Sequence, residues 1–215
     1  MKRFCTRLDV SDAQCRILKE KCFRTAHGEK CEFIGHYKLV RDSKGNEPLA
    51  KQAKQIMEPR LIEEWKSFAK DPRPGRKRMT GGPLEEAIRE VLKRELSPLK
   101  VTVYDQTKQF YVWQDNVKIL ADCLAEKEGR KAIVSVKCWL GTEQIRETFA
   151  YAYLAKTWLG QRDIRVYQIG LFPFEERLKP LVDACKPYLD GVYSLSNEPY
   201  FDSLVKEMNK YFTTT

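Results

Sequence analysis

No stretch of this 215-residue chain approaches the 18 consecutive apolar residues that would suggest a membrane-spanning helix, so none is expected. The N-terminus, Met1-Lys2-Arg3-Phe4-Cys5-Thr6-Arg7-Leu8-Asp9, has no apolar leader segment, and the expectation is a cytoplasmic protein. There is no internal repeat and no low-complexity tract. Histidine is scarce, with two in the whole chain, and no Cys-x-x-Cys pair occurs among the seven cysteines. An odd cysteine count without a leader reads as free thiols. Cys5, Cys15, Cys22 and Cys31 share the N-terminal region with His27 and His36, but zinc sites usually contain a close cysteine pair. Cys15 and Cys22 are seven apart, on one helix face, and read as packing residues. Cys123, Cys138 and Cys185 stand in apolar runs and read as small core residues.

What the chain does have is unevenly distributed. It is 42% hydrophobic and 32% charged, a globular composition. Residues 1–82 carry 20 Lys/Arg against 11 Asp/Glu, whereas 83–215 carry 19 of each. The entire net charge of +9 therefore sits in the first two-fifths, which points to a polyanionic partner. That segment reads as mostly helical. Ser11 suits the cap of a helix over 12–26, a second helix covers 47–57, and Pro59 is expected to break it before a third over 60–70. Residues 71–82, rich in Pro, Gly and Arg, read as a loop.

From Pro83 the texture changes. A helix to about Leu96 is followed by strands over 100–104, 109–113, 118–126 and 131–140. Then come a helix over 142–159, a strand over 164–172, a helix over 174–185, a short strand over 191–195 and a last helix over 200–212. This order predicts an α/β (α+β) fold: a mixed central sheet flanked by helices over 83–215, preceded by the basic helical extension 1–82.

Two strands of that sheet carry charges that a core does not tolerate without cause. Ile119 to Glu126 and Lys131 to Trp139 form a hairpin across Lys127-Glu128-Gly129-Arg130. Setting Glu126 opposite Lys131 places Asp122 opposite Ser135, with Lys137 one diagonal away on the same face. Ile119, Ala121, Cys123 and Ala125 then share the other, wholly apolar face with Val134, Val136, Cys138 and Leu140. A carboxylate beside an ammonium is half of what phosphodiester hydrolysis needs: hard oxygen donors for Mg²⁺, and a lysine near the attacking water. The peptide carbonyl of Val136 is a further candidate ligand.

This pattern resembles the PD-(D/E)xK nuclease superfamily, in which one strand carries an acid and the next carries acid-x-Lys. Asp122 takes the first position and Lys137 the lysine. The chain departs from the pattern at Ser135, where the second acid should stand, and at Ala121, where proline is common. Some restriction endonucleases of the superfamily have Ser-x-Lys and take the missing carboxylate from the next helix. Here that resemblance nominates Glu147 or Glu143, and Glu85 from the first core helix as one more catalytic acid. On the helical wheel Glu85 borders the buried stripe of Leu84, Ile88, Val91 and Leu92, while Glu86 and Glu90 point to solvent.

The resemblance implies a Mg²⁺-dependent endonuclease acting on double-stranded DNA, most like a homodimeric type II restriction endonuclease that cuts a palindromic site. Arg73, Arg76, Lys77 and Arg78 are then the expected DNA contacts, with Met79 or Met57 a candidate apolar wedge. Gln144, followed by Phe149, Tyr151 and Tyr153, loosely matches RecB-like relatives, which place a Gln and then a Tyr in this helix. A non-catalytic nucleic-acid-binding protein on a degenerate nuclease core stays open, with Ser135 as the mark of decay.

Overall fold

The computed structural model describes residues 4–5, 10–11, 47–70, 78–105, 108–112, 117–159, 163–171 and 175–214. Two short strands, β1 (Phe4–Cys5) and β2 (Val10–Ser11), pair antiparallel. The proposed helix over 12–26 and the cysteines and histidines beyond Cys5 in this region lie outside the described residues.

Helix α1 (Pro48–Lys70) is continuous, so Pro59 does not break it. The reason is placement. Pro59 is exposed, and the carbonyl it cannot satisfy belongs to Gln55 on the same wet side, while Ala50, Ala53, Met57 and Leu61 form the buried stripe opposite. Met57 is fully buried there, which removes it as a DNA wedge. The N-terminus of α1 is capped from a distance: the Asp202 carboxylate accepts from the amides of Leu49 and Ala50 at 2.9 and 3.0 Å. Helix α2 (Arg78–Leu96) starts five residues earlier than expected and contains Pro83. The Arg78–Gly82 stretch is therefore helical and not loop. Its carbonyls form the helix's first turn, and Pro83 removes only the hydrogen bond to Met79.

Strands β3 (Thr102–Val103), β6 (Cys123–Lys127), β7 (Arg130–Lys137), β8 (Ile164–Gly170) and β9 (Gly191–Ser194) form the central sheet in that order. β3, β6 and β7 are antiparallel, and β7, β8 and β9 are parallel. β4 (Lys108–Val112) and β5 (Val117–Ala121) pair with each other in a separate ribbon. Helices α3 (Thr142–Leu159) and α4 (Lys179–Cys185) make the parallel connections β7–β8 and β8–β9, and α5 (Phe201–Thr213) closes the chain. The predicted mixed sheet flanked by helices is what the molecule has.

The layers are unequal. α1, α2 and α5 cover one face in a single large cluster that includes Leu84, Leu92, Val134, Phe201 and Met208. The segment 48–70 thus shares its core with the sheet. α3 and α4 cover the other face in a smaller cluster with Leu124, Ile133, Ile145 and Val166. Among the described residues no helix is long and apolar enough to cross a membrane.

Candidate functional site

The hairpin register is as expected: Glu126 pairs with Lys131 and Cys123 with Val134. Glu128 (φ 50°) and Gly129 (φ 83°) make the two-residue turn, a geometry with two left-handed positions in which glycine is the natural second residue. The strand read as continuous over 118–126 is not. It divides at Asp122, with Val117–Ala121 pairing to β4 and Cys123–Lys127 pairing to β7. The bend also exchanges faces. Cys123 and Ala125 pack with α2 and α5, whereas Ile119 and Ala121 pack with Leu124 in the α3 layer. Leu140 likewise lies past the end of β7 and joins the α3 layer. The single apolar face expected for all eight residues therefore does not exist.

The bend gives Asp122 its position. Continuing the register would set Ala121 opposite Val136, but Ala121 has left for the other ribbon. The Asp122 Oδ2 takes its place and accepts the Val136 amide at 2.7 Å and the Ser135 hydroxyl at 3.4 Å. From the other side, Arg89 of α2 donates to the Asp122 carbonyl at 2.9 Å and to the Asp105 carbonyl at 3.0 Å, which pins the bend. On a strand, the carbonyl of a residue points to the same side as its amide, so the Val136 carbonyl faces this gap as well.

Lys137 ends β7, and its Nζ lies 3.0 Å from Glu147 Oε2 of α3. The Tyr151 hydroxyl, one turn on, donates to Glu147 Oε1 at 3.4 Å. Burial holds the Asp122 carboxyl above the usual range, and the Glu147 charge adds to this. The Val136 amide, Lys137 and Ser135 act against it without cancelling it. Burial, then Glu147, also raises the Tyr151 phenol. The Lys137–Glu147 pair is 46% exposed on its acidic side, where such pairs contribute about 0–1 kcal/mol. Stability does not explain this group of charges.

The structure brings Asp122, Ser135, Lys137 and Glu147 together, with the Val136 carbonyl. Glu143 stands exposed on the first turn of α3, one turn before Glu147. Glu85 sits on the α2 side of the sheet, where burial raises the Cys123 and Cys138 thiols and the Glu85 charge adds to it. Glu86 and Glu90 pair with Arg60 of α1. Arg73, Arg76 and Lys77 lie outside the described residues, and Arg78 and Met79 fall in the first turn of α2. Phe149 and Tyr153 make edge contacts with Tyr188. Sequence reasoning missed Arg89 and Gln168. Gln168 is paired in register with Ser135, fully buried, and donates to the Gln144 carbonyl at 3.0 Å, while its Oε1 has no partner among the described residues. Nothing local marks either residue, because both act across elements.

As a metal site the donor set is sparse but hard: two carboxylates and a peptide carbonyl. Among the described residues no three His, Cys, Asp or Glu side chains converge on one point. Hard oxygen donors are the type that Mg²⁺ takes, one or two carboxylates being completed by water and substrate phosphate.

No family model matches the sequence. Over 82 residues the chain is 30% identical to the uncharacterized protein ycf73 of Zea mays and of Saccharum officinarum, covering 38% of this chain and 40% of each relative. The matching segment covers 31% of the Oryza nivara relative, so the chain spans well under half the length of these proteins. Among solved structures it is similar to the type IIP restriction endonuclease Kpn2I, with TM-score 0.43, 8% identity, and 86% of this chain and 73% of that one covered. It is also similar to AF1548, a protein of unknown function, with TM-score 0.41, 14% identity, and 59% and 66% covered. Likenesses this loose carry no functional weight.

Proposed function

We propose that this chain is a Mg²⁺-dependent nuclease acting on double-stranded DNA, in the manner of a homodimeric type II restriction endonuclease. The observation that carries the reading is the convergence of Asp122, Lys137 and Glu147 at the end of β7. Burying a carboxylate costs free energy that its partners here do not recover. A divalent cation would supply the missing countercharge and polarise a phosphoryl oxygen. Asp122, Glu147 and the Val136 carbonyl would hold it. Lys137 would orient the attacking water and offset charge as it develops on the phosphate. Glu147 and Tyr151 fix where the Lys137 ammonium stands. The excess positive charge of 1–82, which includes Arg73, Arg76, Lys77 and Arg78, would attract the phosphate backbone, with Met79 the candidate wedge.

Plasmid DNA incubated with the protein and Mg²⁺ is expected to give discrete fragments, lost with Asp122→Asn, with Lys137→Ala, or with EDTA. Ser135, where the superfamily pattern has an acid, favours a second reading, a non-catalytic nucleic-acid-binding protein. Intact plasmid together with tight, salt-sensitive DNA binding would decide for that reading and against catalysis.

A further inference from the structure

At the opposite end of the sheet from Asp122 and Lys137 lies a cleft of about 610 Å³ that the nuclease reading does not use. Arg130 begins β7 and Lys137 ends it, so the two regions stand roughly 23 Å apart along the strand. The volume is that of a small-molecule site.

Two arginines converge in this cleft. The guanidinium carbons of Arg130 and Arg165 lie 5.9 and 5.4 Å from the ring centre of Tyr211 on α5. Like charges gathered around one ring call for an anion, and the protein supplies only part of one. Arg165 Nη1 bonds Asp190 at 3.0 Å, but Asp190 also takes the buried Lys156 at 2.7 Å and the Val166 amide at 2.7 Å. Arg130 has no carboxylate partner among the described residues. Its Nη1 donates to the main-chain carbonyls of Tyr211 and Thr214 at the end of α5. The rest of the wall is mixed. Tyr167 and Tyr211 are aromatic, Lys210 is basic, and Glu207 accepts from Tyr193.

We infer that this cleft binds a nucleoside monophosphate, its phosphate held by Arg130 and Arg165 and its planar base beside the half-buried Tyr211, since Tyr167 is buried and offers the cleft only an edge. Guanidinium forks match phosphate oxygens two at a time, and tyrosine rings accept a base on their faces. Asp190 and Glu207 argue against a nucleic-acid strand, because a continuous run of phosphates would be drawn past both carboxylates. A single phosphate need not approach either, and Glu207 can accept from a sugar hydroxyl. The inference does not depend on the nuclease reading.

Calorimetric titration of the full chain tests it, with AMP, GMP, ribose 5-phosphate, inorganic phosphate and a 12-nucleotide strand as probes. AMP or GMP is expected to bind with a micromolar Kd. Arg165→Met should weaken that binding by about tenfold or more, the effect of losing a hydrogen bond to a charged group. Arg130 also ties down the end of α5, so Arg130→Lys accompanies Arg130→Met. The lysine should keep the circular dichroism spectrum and still bind less tightly than wild type. Lys137→Ala, in the other site, should bind the nucleotide like wild type. No nucleotide binding at millimolar concentration, equal binding of inorganic phosphate, binding of the strand alone, or an unchanged Kd in Arg165→Met would each overturn the inference.

Discussion

The two faces of the central sheet are built on opposite principles. The face under α1, α2 and α5 is broad and nearly free of polar groups, with Leu84, Ile88, Leu92, Leu96 and Phe201 all fully buried. Its buried charges are Asp202, whose carboxylate caps the α1 terminus, and Lys54 of α1. The face under α3 and α4 is narrower and seamed with buried polarity: Ser135, Thr148, Lys156 and Gln168. One face holds most of the core and the other holds the candidate site. A mutation should therefore reveal its face by which measurement it moves.

The largest effect belongs to the α3 face and should leave the fold alone. Asp122→Asn keeps an oxygen for the Val136 amide but removes the charge. Mg²⁺-dependent cleavage should fall on the order of 10³-fold in a plasmid assay while the circular dichroism spectrum stays native. Loss of both together would mean that Asp122 is only a cap. Next comes the scaffold face. Leu92→Ala should lower stability by about 2–5 kcal/mol in urea unfolding, with cleavage by the folded fraction unchanged. Asp202→Ala is smaller, about 0.5–2 kcal/mol, because two helix amides lose one acceptor. Gly129→Ala should cost about 1 kcal/mol, since an alanine at φ 83° is strained on either face's account.

The subtlest prediction has the opposite sign. The folded Asp122 carboxyl holds its proton more tightly than the unfolded one, so wild-type stability declines as pH rises through the folded pKa. Asp122→Asn escapes that decline. At neutral pH it should melt a few degrees above wild type, and the difference should vanish below about pH 3.9, where both states of the wild type are protonated. A variant that melts below wild type at pH 7 would show that the charge stabilises the fold, and the contrast between the faces would fail.

Much of this was legible in the sequence. Thr142–Leu159 is bounded as its pattern indicates, and the hairpin register follows from alternation and one Glu-Gly turn. Pro59 misled because the buried stripe of Ala50, Ala53, Met57 and Leu61 holds the helix through it, with the lost hydrogen bond on the exposed side, and that packing is a tertiary property. The bend at Asp122 was hidden for a deeper reason. Apolar residues alternate on both sides of it, and alternation records which residues share a face locally, not which layer that face meets. Arg89 and Gln168 were invisible because their partners lie on other elements. Glu147 was nominated from the family resemblance, and nothing local separates it from Glu143. Only the pitch of α3 against β7 sets it beside Lys137.

The bend has one more consequence. An extended run is written in a two-letter frame, in and out, and β5 and β6 are five residues each on either side of a single letter. Asp122 is a frameshift. Upstream of it the odd-numbered residues are read into one layer, and downstream they are read into the other. At the shift itself neither reading applies, so that letter is exempt from the alternation that governs the strands on either side. A chain that must set a charge inside a sheet can do so at the cost of one phase error, and deleting that residue would restore the frame and erase the site together.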